Sequence, residues 1–160
     1  MGLALGDIDN DKDIDIFVSN MGNTIPVRSA RGDLRSDQTL DPEWRLIENL
    51  GNMQFRDITE KSGLSGYEFA WGAIFEDWNL DSHLDLIVAE NYIKWPPHKI
   101  TKLAGRFFIG GADGVFRPTT TESRAENYAY GTTPLASDFN ADGYPDLIIT
   151  NLDGKTKALL

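Results

Sequence analysis

The sequence predicts an all-β chain built from repeated units of four short antiparallel strands. Three observations predict it. A nine-residue acidic pattern recurs at Asp7–Asp15, Asp77–Asp85 and Asp138–Asp146, with offsets of 70 and 61 residues. A short apolar run follows each copy: Ile16-Phe17-Val18, Leu86-Ile87-Val88 and Leu147-Ile148-Ile149. No segment of ten or more residues sustains a helical period, while β-branched and aromatic residues alternate with Gly, Asn and Asp turns. Self-similarity at such a period is the mark of a repeat architecture.

The strands of one unit are called A to D. In the first unit, A is expected at about 2–6 and B at 14–19. C is expected at 45–49 and D at 54–59. Gly2-Leu3-Ala4-Leu5-Gly6-Asp7 lines up with Gly72-Ala73-Ile74-Phe75-Glu76-Asp77, and more loosely with Pro134-Leu135-Ala136-Ser137-Asp138. Strand B is apolar on both sides, as a strand covered on both faces would be. Leu46-Ile47 recurs as Phe107-Phe108 and Phe55 as Phe116, both at an offset of 61, with turns at Asn49–Asn52 and Gly110–Gly114 between them. Strand D, Phe55-Arg56-Asp57-Ile58, is more polar and suits an outer edge. Four-stranded units at this period read as β-propeller blades. The chain divides into a blade over 1–70, a blade over 71–131 and a partial blade over 132–160. A closed ring of 4–8 blades would need roughly 240–490 residues, so a fragment of a longer propeller is expected, with the remaining blades as its neighbours. Leu3 and Leu5 at one end, and Leu147 and Ile149 at the other, are expected to lie exposed and to drive self-association.

Composition narrows the function. The 160 residues carry a net charge of -10 and no Cys. Disulfides and thiolate metal sites are excluded. An acidic chain, with a pI near 4.5, lacks the basic surface a nucleic-acid partner requires. No apolar run approaches the ~20 residues of a membrane-spanning helix, so no direct membrane insertion is expected. The acid is concentrated. The three repeated windows hold 5, 3 and 3 of the 25 acidic residues, where even spreading would put about four in all.

The third window, Asp138-Phe139-Asn140-Ala141-Asp142-Gly143-Tyr144-Pro145-Asp146, reads D-x-N-x-D-G-x-x-D. Oxygens at positions 1, 3 and 5 converge when such a loop curls, Gly at position 6 permits the turn, and position 7 offers its carbonyl. Asp at position 9 can close the shell. Hard oxygen donors in this number suit Ca²⁺. The candidate ligands are Asp138, Asn140, Asp142 and Asp146, with the carbonyl of Tyr144. The first loop supplies Asp7, Asp9, Asp11 and Asp15, with Asp13 at position 7 turning its side chain to solvent and its carbonyl to the ion. The second supplies Asp77, Asn79, Asp81 and Asp85, with His83 at position 7. Lys12 and Ser82 stand where the third loop has Gly143, so those two loops should carry backbone strain. An EF-hand begins similarly but needs Glu at position 12, where this chain has Val18, Val88 and Ile149.

These motifs, together with Asn49-Leu50-Gly51-Asn52-Met53-Gln54-Phe55-Arg56-Asp57-Ile58-Thr59, resemble the FG-GAP/VCBS repeat family, the blade type of integrin α-subunit propellers. The likeness is closest to the bacterial and animal proteins related to cartilage acidic protein. It implies a seven-bladed propeller when complete, Ca²⁺ in the A–B loops, and an extracellular, cell-surface or periplasmic setting. The chain lacks a literal Phe-Gly-Gly-Ala-Pro string.

Catalytic residues are not expected. The chain has two His. His83 offers its backbone, and His98 lies in an expected loop without a positioned partner. Meander topology puts A–B and C–D turns at one end and B–C loops at the other. The long B–C loops, about 21–43 and 92–105, are the expected binding surface. The second carries Lys94, Lys99 and Lys102 with Trp95-Pro96-Pro97, and Arg106 follows. A protein or glycan ligand is expected at the Trp95 region. The expected function is an adhesion or ligand-binding scaffold; the alternative is part of a propeller-based carbohydrate-active or hydrolytic enzyme.

Overall fold

The computed structural model describes residues 2–22, 34–90, 92–93 and 101–160. β1 (Leu3–Gly6), β2 (Asp15–Val18), β3 (Arg45–Asn49) and β4 (Phe55–Asp57) form a four-stranded antiparallel meander in that order. β5 (Ala70–Glu76) and β6 (Asp85–Glu90) begin the second sheet. β7 (Tyr92–Ile93) and β8 (Thr101–Lys102) pair as a separate ribbon, and β9 (Arg106–Ile109) and β10 (Arg117–Pro118) complete the second meander. β11 (Gly131–Ser137), β12 (Asp146–Asn151) and β13 (Lys157–Leu159) form a three-stranded third sheet. The expected strands of the first unit lie within two residues of these bounds. The segment read as a plain loop from Tyr92 differs, because its ends pair as β7 and β8.

The sheets stack face to face in chain order. Cross-strand register places Ala4, Phe17 and Leu46 in one row of the first sheet. That row meets Phe75, Leu86 and Phe108, a row of the second sheet, in one buried cluster. The next row of the second sheet, Ile74, Ile87 and Phe107, points the other way and packs on Leu147 and Ile149. β6 is therefore buried along its whole length, which is why its sequence reads apolar without alternation. Each large apolar side chain so buried contributes about 1.5–3 kcal/mol. β4 is exposed at every position, and β10 ends in Pro118 at the sheet's outer edge, where no partner needs the missing N–H.

One expectation is corrected by this stacking. Leu147 and Ile149 are buried, not exposed. They sit two residues apart and so share a face, and that face is turned to the second sheet. The open face of the third sheet is the Leu135–Ile148 row instead, with Leu135 51% exposed. At the other end Leu3 and Leu5 are 63% and 61% exposed, as expected.

The A strands approach one another closely. A Cβ on Gly72 would lie 2.3 Å from the Thr132 carbonyl oxygen, and one on Gly2 would lie 2.6 Å from that of Trp71. Glycine is required by space there. Ser19 ties the same seam: its Oγ donates to the Trp71 carbonyl at 2.8 Å and accepts the Gly2 amide at 2.8 Å.

Candidate metal centre

All three acidic loops join strand A to strand B and carry one hydrogen-bond pattern. In the first, Asp7 accepts the amides of Asp11 and Lys12, each at 3.0 Å. Asp9 accepts the Asp11 amide at 3.3 Å, and Asp11 accepts that of Asp13 at 2.8 Å. In the second, Asp77 accepts from Asp81 and Ser82, Asn79 from Asp81, and Asp81 from His83. In the third, Asp138 accepts from Asp142 and Gly143, Asn140 from Asp142, and Asp142 from Tyr144. Side chains at positions 1, 3 and 5 are thus held inward by the loop's own amides, as Asx residues do in tight turns.

Position 9 has a role that the spacing did not reveal. Asp15 is fully buried and accepts the Ile8 amide at 3.0 Å and the Asn49 amide at 2.8 Å. Asp85 repeats this with Trp78 at 3.1 Å and Gly110 at 2.9 Å. Both residues pin the loop to the end of strand C. Asp146 accepts from Phe139 at 2.8 Å and from Asn140 at 3.3 Å. On Asp15 and Asp85 each carboxylate oxygen takes one amide and keeps a second lone pair for an ion, whereas both backbone amide bonds to Asp146 fall on Oδ2 and leave Oδ1 as the freer oxygen.

Strain is distributed more widely than expected. Position 6 has positive φ in every loop: Lys12 78°, Ser82 70° and Gly143 91°. Position 4 does too, at Asn10 63°, Leu80 58° and Ala141 60°. Each loop thus has two left-handed residues, and in the first loop the carboxylates at positions 1, 3 and 9 come together, without Asp11 at position 5. Leu and Ala tolerate that conformation poorly, so it is held by the surrounding bonds. The side chain of Asp13 does not turn to open solvent. Its Oδ2 lies 2.9 Å from where a Cβ on Gly51 would stand, over the strand C to D turn.

The donor set fits a hard cation. Asp7, Asp9 and Asp15 each place a carboxylate oxygen within 4.8 Å of the others. Oxygen atoms 2.3–2.6 Å from a shared ion would lie at about such separations. The electrostatics agree. Burial, and then the neighbouring Asp11, push the Asp9 carboxyl up, and burial pushes up that of Asp15. Burial raises Asp85 to about 6, against the amides of Gly110 and Trp78, which favour its charged form. The loops carry five, three and three carboxylates, and Lys12 is the one Lys or Arg within them.

The Trp95 region, with Lys94, His98 and Lys99, lies outside the described residues. Arg106, grouped with those lysines on sequence grounds, is already engaged by Glu68 and Glu90. A cleft of about 740 Å³ on the outer side of the first sheet is lined by Glu43, Arg45, Asp57, Thr59, Glu60 and Lys61, with Ser65 and Gly66. Arg45 there pairs with Asp41 and Asp57.

Stacked antiparallel meanders with A strands converging on one side are blades of a β-propeller. The FG-GAP-like repeat family matches residues 7–88, about half of the chain, and the FG-GAP repeat matches residues 130–158. The chain belongs to the FG-GAP repeat family. The matches do not reach the narrower branch related to cartilage acidic protein. No curated protein matches the chain.

Proposed function

We propose that this chain is a Ca²⁺-binding propeller segment that serves as a scaffold for adhesion or ligand binding outside the cytoplasm. The observation that carries the reading is the one hydrogen-bonded cage built three times. Its first copy gathers Asp7, Asp9 and Asp15 oxygens within 4.8 Å. The ligands would be Asp7, Asp9, Asp11 and Asp15; Asp77, Asn79, Asp81 and Asp85; and Asp138, Asn140, Asp142 and Asp146. Carbonyls of Asp13, His83 and Tyr144 would complete each shell. Bound Ca²⁺ would neutralise the loop carboxylates and fix the turn between strands A and B. A rigid scaffold then presents its long B–C loops at the other end, where a protein or glycan would bind.

Asp142→Ala tests the assignment. It removes one carboxylate and the acceptor of the Tyr144 amide. Calcium uptake should fall by one equivalent while the other two loops keep theirs. Unchanged stoichiometry in the variant would show that the third loop is not a site.

A further inference from the structure

The seam between the first two blades holds a charged cluster at the end opposite the acidic loops. Glu90, at the end of β6, has a side chain with no solvent exposure. Arg106 Nε from β9 stands 3.4 Å from its Oε1 and 3.3 Å from its Oε2. Glu90 Oε2 accepts no hydrogen bond among the described residues. The same guanidinium donates from Nη2 to Glu68 Oε2 at 2.7 Å. Its other face covers the Tyr67 ring at 5.3 Å, and Tyr67 in turn stacks on Trp44 of the first blade at 4.9 Å. One arginine thus serves two carboxylates, one of them buried.

The fold does not demand a carboxylate there. The equivalent positions in the other two blades, at offsets of 70 and 61, hold Asn20 and Asn151. Among the described residues, the charged and titratable groups facing Glu90 are Arg106 from β9, and Glu68 and Tyr67 from the connector into β5. Its register partner in β5 is Ala70, which contributes no charge.

We propose that Glu68, Arg106 and Glu90 form a pH-responsive latch across the seam between the first and second blades, tighter when Glu90 is protonated and looser when it is ionised. A protonated Glu90 leaves the arginine wholly to Glu68 and puts no unpaired charge in the seam. Ionised, it buries a second carboxylate that Arg106 reaches with one nitrogen and that the Gly105 amide favours, too little to offset its burial. Burial, opposed by Arg106 and reinforced by Glu68, raises the Glu90 carboxyl to about 7. A folded value above the unfolded one means that the proton stabilises the fold. That stability is fully present below pH ~4.5 and is lost as pH rises through about 7.

Urea unfolding of the whole chain, in chelator, at pH 5 and pH 8 tests this. The folded-to-unfolded ratio of the parent should fall, relative to that of Glu90→Gln, by a factor on the order of tens between the two pH values. Glu90→Gln should be the more stable protein at pH 8. Glu68→Gln should shrink the fall, because it removes a like charge and leaves Arg106 to Glu90. A Glu90→Gln profile parallel to the parent's would overturn the proposal. Should that variant not fold, a Glu68→Gln profile as steep as the parent's would overturn it equally.

Discussion

Trp44→Ala is expected to cost about 3–5 kcal/mol of stability, as loss of a buried aromatic ring does elsewhere. Trp44 is fully buried where the first two blades meet. Its ring stands edge-on to Phe17 at 5.6 Å and to Phe108 at 6.5 Å, and it stacks on Tyr67. Its Nε1 donates to the Glu68 carbonyl at 2.9 Å. Truncation would leave a ring-sized cavity, orphan that carbonyl and free the Tyr67 ring that supports Arg106. Whole domains are stable by only about 5–15 kcal/mol, so this is a large fraction. In a chain of this size the thermal midpoint should fall by about 6–20 °C. Met53→Ala, at a turn residue 86% exposed, should leave the midpoint unchanged. Equal effects from the two variants would mean that the blades do not share the packed seam described.

The second large effect expected is from Ca²⁺ itself. An ion that binds the folded loops alone stabilises by mass action, by about 2.7 kcal/mol per site at a hundred times its dissociation constant. Three independent sites would add to roughly 8 kcal/mol. The buried Asp15 and Asp85 would transmit this beyond the loops, because their carboxylates hold the ends of strand C through Asn49 and Gly110. The thermal midpoint should rise by tens of degrees at saturating Ca²⁺ and return on chelation. A midpoint indifferent to chelator, in a sample first loaded with roughly 10–100 mM Ca²⁺, a hundred times the expected dissociation constants, would contradict this.

Much of the fold was legible because its signals are local. Alternating residues bounded by Asx and Gly turns mark β1 to β4, and the three loops declare themselves by the spacing of Asp7, Asp77 and Asp138. What was not legible depends on partners distant in the chain. The buried role of Asp15 needs an amide 34 residues away, and that of Asp85 one 25 residues away. Parity shows that Leu147 and Ile149 share a face, but not which neighbour covers it. The left-handed backbone at Leu80 and Ala141 breaks the residue preferences on which sequence reading relies, and the cage of amides around it imposes that shape. Glu90 reads in sequence as the polar end of a strand. Its burial is visible once Arg106 and Glu68 are seen to meet it.

Calorimetric titration of the metal-free chain with Ca²⁺ tests most directly whether the three loops are cation sites. Saturable uptake of three equivalents is predicted, with dissociation constants of roughly 10⁻⁴–10⁻³ M, the range of extracellular modules. Absence of binding up to several times that concentration would show that the loops are turns held by their own amides, with no ion.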